Sequence, residues 1–177
     1  MSNQKNDAIM IGRAQNVLLI FFERRLSVPK IYLDAEWEGT IVDVLAIDRA
    51  GVGDVSVAVI RRPDQAHREI VDNLRSIPAH FKYYIETSHS LTSGKLPATE
   101  TGNIIAKYVE LQKTSDDSEF FSEDGVGRIG QILIDFSAGQ PTARILIPPE
   151  RFRSNQRIYD MADSFAASHT ADFEVRP

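Results

Sequence analysis

Asp43 is the first residue of this sequence that asks for chemistry. It sits inside the apolar run "IVDVLAI" (41–47), and a carboxylate buried there costs several kcal/mol unless it is paired, hydrogen-bonded or metal-bound. Two readings follow: a hard oxygen ligand for a divalent cation, or half of a structural ion pair with backbone N–H groups or Arg61 as its partner. Arg61 and Arg62 close the next apolar run, "VSVAVIRR" (55–62). With Arg68 they form a local patch able to meet phosphate, although a guanidinium stays protonated and cannot act as a general base. Asp34, Glu36 and Glu38 alternate along "IYLDAEWE" (31–38), a second carboxylate row that fits the wet face of an edge strand. Glu23 stands in "ERR" at a helix end, where exposed charge is common.

Other chemistries are poorly served. The four histidines, at 67, 80, 89 and 169, share no metal-site spacing. "GVGDVS" (51–56) has neither the glycine spacing of a dinucleotide loop nor the Lys-Ser/Thr of a phosphate loop. "SHSLTSG" (88–94) lacks the spacing of a nucleophile elbow. The absence of cysteine removes disulfides, thiolate metal sites and cysteine nucleophiles. It also suits a cytoplasmic setting.

The elements that must carry these residues read as follows. Apolar side chains at helical spacing predict a first helix over 7–26. Pro29 stops it, and 31–38 alternates as a strand near an edge, with Leu33, Ala35 and Trp37 facing away from the acids. The runs 41–47 and 55–60 are apolar on both faces and joined by "DRAGVGD", a buried hairpin with a glycine-bearing turn. Pro63 opens a helix whose Ala66, Ile70, Val71, Leu74 and Ile77 share one face, and "FKYYIE" (81–86) is the next strand. Residues 87–102 read as a long polar loop and 114–125 as an acidic mobile stretch. Between them "NIIAKYVELQ" (103–112) fits helix or strand equally. Two strands, "GRIGQILIDFS" and "TARILIPPERF", joined by "AGQP", a helix over 154–169 and a short final strand, "DFEV", complete the chain. The 177 residues, 42% hydrophobic and 25% charged, suit a single α/β domain. No apolar run nears the ~18 residues that span a bilayer, and no export signal is read. A net charge of −5 and a pI near 5.4 give no global attraction to nucleic acid.

A helix, a three-stranded meander, a helix and a strand, with Asp on the second strand, resemble the PD-(D/E)XK, restriction-endonuclease-like nuclease superfamily over about residues 8–86. The resemblance implies an α-β-β-β-α-β core with a mixed sheet, here extended by an insertion (about 87–125) and a C-terminal β-β-α segment (about 126–177). It implies that carboxylates on the first helix, second strand and third strand gather Mg²⁺, with a third-strand Lys beside the attacking water. Asp43 falls at the family's Asp, Glu23 is the candidate helix carboxylate, and Arg61 takes the place of the Lys. The third-strand acid is missing: Val59 stands in its place, or Ala58 with Ile60 in the neighbouring register. Asp64, Glu69, Arg68 and Lys82 are the nearby groups that could substitute.

The expected function is a nuclease-like fold without catalysis, a pseudoenzyme acting as a binding or regulatory module linked to nucleic acid. The family association points to a bacterial nucleic-acid or defence system. Contact would run through the local arginine patch, with homodimerisation in keeping with the family and no membrane role. The competing expectations are a Mg²⁺-dependent nuclease with a rearranged site around Asp43, Glu23 and Arg61, and a protein-interaction domain with no nucleic-acid role.

Overall fold

The computed structural model describes residues 2–50, 53–93, 95–116 and 118–175. Gly51 and Val52 of the expected hairpin turn, Gly94 of the polar loop and Asp117 of the acidic stretch lie outside the described residues. In chain order the elements are α1 (Ser2–Arg25), β1 (Pro29–Trp37), β2 (Thr40–Asp48), β3 (Val55–Ile60), α2 (His67–Ser76), β4 (Phe81–Thr87), α3 (Ser88–Thr92) and α4 (Ala98–Thr114). A 3-10 turn (Ser118–Phe120), β5 (Gly130–Asp135), β6 (Thr142–Ile147), α5 (Gln156–Ser168) and β7 (Phe173–Glu174) follow. The protein is α/β, and its described strands form one mixed seven-stranded sheet in the order β6-β5-β4-β3-β2-β1-β7. The pairs β3–β4 and β4–β5 are parallel, and the remaining pairs are antiparallel.

Alternation along the central strands divides the core in two. Val44, Ala46, Ala58, Ile60, Ile85, Ile132 and Ile134 face α1, which lays Ala14, Leu18 and Phe22 on them at i, i+4 and i+8. Leu45, Ile47, Val55, Val57 and Tyr84 face the other way, where Ile70, Val71 and Leu74 of α2 and Ile158 and Ala162 of α5 cover them. On the same side, Ile105 and Val109 of α4 pack on Leu133 of β5. No described helix is long and apolar enough to cross a membrane.

The first helix starts at Ser2 rather than residue 7, and other elements depart further from the sequence expectation. Residues 87–102, expected as a loop, hold α3 and the start of α4. Their serines and threonines cap rather than solvate. The Thr87 hydroxyl accepts the Ser90 N–H at 2.9 Å and the Ser90 hydroxyl accepts the Thr87 N–H at 3.0 Å, a capping box; buried Ser88 accepts the Phe136 N–H. The undecided 103–112 is helical, as Thr101, Ile105 and Val109 on one buried stripe require. The helix expected from Pro63 begins at His67. Gln65 lies between the two, its side-chain oxygen accepting the Arg62 N–H and its carbonyl accepting from Arg61, which holds 63–66 out of the helix. In β1 the expected alternation fails. Leu33 packs on the α1 side while Ala35 and Trp37 lie with α5, because Asp34 has φ +50° and turns the strand over midway.

Candidate functional site

That inversion of β1 lies next to Asp43. The β1–β2 ladder pairs Leu33 with Val44 and Ala35 with Val42, but skips Asp34 and Asp43. Val42 then faces α5 and Val44 faces α1, so both strands change face at the same level. Gln15, a buried polar residue of α1, bridges the break: its amide donates to the Asp34 carboxylate at 2.7 Å and to the Asp43 backbone carbonyl at 3.1 Å.

The Asp43 side chain is 3% exposed and fully engaged. Oδ2 accepts the Ile60 N–H at 2.6 Å and Arg62 Nη1 at 2.7 Å, and Oδ1 accepts Arg62 Nη2 at 2.6 Å. This is a two-pronged guanidinium–carboxylate pair, the strongest geometry the two groups can adopt. Burial works against the Arg62 charge, but the hydrogen bonds and charge of Asp43 overcome it and hold the guanidinium above its ordinary pKa.

Arg61 leaves on the opposite face, as strand alternation demands. Its Nε lies 3.0 and 2.9 Å from the two carboxylate oxygens of Glu86, Nη1 donates to the Gln65 carbonyl and Nη2 to the Ser90 carbonyl. Glu86, also buried, accepts further bonds from the Tyr84 hydroxyl at 2.7 Å and the Ser90 hydroxyl. Burial, then the Glu86 charge, push the Tyr84 phenol far above its usual range and Tyr108 up to about 12. A cavity of about 350 Å³ opens above this pair, walled by Arg61, His67, Glu86, Tyr108, Glu119 and Phe120. It lies outside the carboxyl ends of parallel β3 and β4, where open α/β sheets take their ligands.

The three residues singled out in the sequence are therefore not brought together. Arg61 and Asp43 stand on opposite faces, and the Asp43 partner is Arg62. Glu23 is exposed near the end of α1, eight residues and about 12 Å along the axis from Gln15, which reaches Asp43. Arg68 is on the outer surface of α2 beside Asp72, so the three arginines do not form one patch. Lys82 lies four residues before Glu86 on β4, about 13 Å away along the strand. Sequence reasoning missed Glu86, although it ends "FKYYIE" as a lone acid on an apolar strand, the same signal that exposed Asp43. Nothing in the sequence marks Gln15.

The residues around Asp43 do not fit Mg²⁺. Such an ion needs oxygen ligands with free lone pairs in near-octahedral array, whereas both oxygens of Asp43 face N–H donors. Val44 pairs with Ala58, which brings Asp43 level with Val59, so the third strand offers only aliphatic side chains there. Among the described residues, no group of three or more His, Cys, Asp or Glu side chains is placed to hold a metal ion. No family model, no curated protein and no solved structure matches the chain.

Proposed function

We propose that this protein is a non-hydrolysing binding or regulatory module on a restriction-endonuclease-like core. The observation that carries the reading is the Arg62–Asp43 pair: a fixed guanidinium stands against the carboxylate to which the resemblance assigns a metal. A guanidinium supplies positive charge but does not generate a hydroxide at neutral pH as a bound divalent cation does. The meander β1-β2-β3, the α2 crossover and parallel β4 beside β3 are in keeping with the core the resemblance implies. The binding crevice in this reading is the cavity over Arg61 and Glu86.

Mn²⁺ titration into the wild-type chain, Asp43→Ala and Arg62→Met, with a cleavage assay on single- and double-stranded DNA, tests the proposal. No site-specific uptake and no cleavage are expected from the wild type. Saturable Mn²⁺ binding that disappears in Asp43→Ala would overturn it in favour of the nuclease. The kind of partner is read from DNA binding without metal. Affinity that falls steeply with salt assigns the module to nucleic acid. No DNA binding assigns it to protein partners, a reading favoured by the net charge of −5 and by the engagement of Arg61 and Arg62 with buried acids.

A further inference from the structure

The opposite end of β4 holds a buried lysine, Lys82, which makes no ion pair among the described residues. Lys82 is 4% exposed and projects on the α2 side of the sheet, as Tyr84 and Glu86 do. Its Nζ donates to the Arg75 carbonyl at 2.8 Å and lies 4.2 Å from the centre of the Phe152 ring. Burial alone lowers its pKa to about 8, and no neighbouring carboxylate pulls it back up. The carbonyl bond caps the C-terminus of α2, a structural role, but it uses one of three N–H donors. Capping by itself does not require an ammonium withdrawn from water.

Arg75 stands beside it, part-exposed and paired with an acid. Its Nη1 donates to Asp72 and Nη2 to the Glu119 carbonyl, while Nε is buried and finds no acceptor among the described residues. Buried N–H donors are seldom left unmet. Both cations line one cleft of about 730 Å³, together with Ser122, Asn155, Arg153 and Arg157. Three acids line the same cleft: Asp72 lies against Arg75 and Arg68, Asp124 pairs with Arg153, and Glu123 is exposed. Arg157 pairs with Glu38.

We propose that this cleft binds a small oxyanion, a phosphate or carboxylate group, on Lys82 and Arg75. An oxyanion offers lone pairs to the Lys82 N–H groups that the Arg75 carbonyl does not take and supplies the counter-charge that Lys82 lacks, with the part-exposed Arg75 guanidinium beside it adding positive charge. Binding favours the ammonium form, so affinity is full well below pH 8 and declines as Lys82 loses its proton around that pH.

The test titrates inorganic phosphate, and separately acetate, into the full chain at pH 7 and constant ionic strength. The heat of binding and the Lys82 side-chain carbon resonance are both followed, for wild type, Lys82→Met and Arg153→Ala. Saturable binding of either anion, weakened at least tenfold by Lys82→Met and less by Arg153→Ala, is expected. The Lys82 titration midpoint should rise in the presence of the anion. Phosphate binding without acetate assigns a phosphate group, and acetate binding a carboxylate. Failure of both anions to saturate overturns the proposal, as does binding that Lys82→Met leaves unchanged. If Lys82→Met does not fold, the wild-type midpoint decides alone, and a midpoint that the anion fails to move rejects the site.

Discussion

Removing Arg62 tests the ion pair on which the functional reading depends. Arg62→Met keeps the aliphatic stem, removes both guanidinium bonds and leaves Asp43 buried with one donor, the Ile60 N–H. Truncating one partner of a buried charge pair costs about 3–5 kcal/mol. Here the Arg62 side chain is 34% exposed, so water reaches the vacated carboxylate in part, and the expected loss is about 2–3 kcal/mol. For a chain of this size that lowers Tm by roughly 5–10 °C. The same change made in an Asp43→Asn background should cost under about 1 kcal/mol, because the neutral amide no longer needs a cation while its oxygen still accepts the Ile60 N–H. Urea unfolding of the four proteins closes the cycle. A coupling below about 0.5 kcal/mol would show that Arg62 stabilises through packing alone, and the argument that it fills the place of a cation would fail. Arg62→Met should also gain no tight Mn²⁺ site, since one carboxylate facing Val59 does not make an octahedral shell.

On the other face, Glu86→Gln should cost about 3 kcal/mol or more in urea unfolding. The neutral amide keeps one acceptor oxygen but replaces the other with an NH2 donor, so it cannot satisfy all of the Arg61, Tyr84 and Ser90 donors that converge on the carboxylate, and Arg61 loses its counter-charge. Lys82 predicts a pH dependence. Its folded pKa near 8 lies below the ordinary 10.5, so between those values the unfolded chain holds the extra proton and stability rises with pH. The full difference is about 3 kcal/mol, and the slope should vanish in Lys82→Met when the two unfolding profiles are subtracted. Gly127→Ala should destabilise by at least about 1–3 kcal/mol. Gly127 has φ +98°, and an added Cβ would meet the Phe152 Cα at 2.7 Å. Because Phe152 lies under Lys82, this variant should also shift the Lys82 titration, which the side-chain carbon resonance reads directly.

The sheet was largely legible because the central strands carry unmixed apolar runs and clean turns, and the first helix because Ala14, Leu18 and Phe22 repeat at its period. The region 87–116 was not, since Thr87, Ser88 and Ser90 have loop-like composition and their capping depends on groups that meet only in the fold. Asp34 hid the inversion of β1 for a similar reason. Alternating polarity gives strand period, but a single residue of positive φ changes the face without changing the pattern. The site was half legible. A lone acid in an apolar run marked Asp43, and the same rule would have marked Glu86. Which arginine serves which acid was hidden because it depends on parity along β3, and Val59, Ile60, Arg61 and Arg62 alternate between the faces one by one.

That parity explains why two consecutive arginines end the strand. β3 is the middle strand of the sheet's central trio, and its end meets two buried acids, Asp43 from β2 on the α1 side and Glu86 from β4 on the other. Adjacent residues on a strand point to opposite faces, so an Arg-Arg step is the shortest sequence that gives each acid its own guanidinium. Lysine would not serve equally, because Arg62 meets Asp43 with two nitrogens while bonding the Ile60 carbonyl, and Arg61 meets Glu86 through Nε while its other two nitrogens reach the Gln65 and Ser90 carbonyls. The two forks thereby tie α2's leading loop, α3 and β2 to one point on β3. Charge that would otherwise mark an anion-binding strand end is internal, so under the proposed binding function recognition at this end of the sheet would rest on the shape of the cavity and the donors lining it rather than on net positive potential.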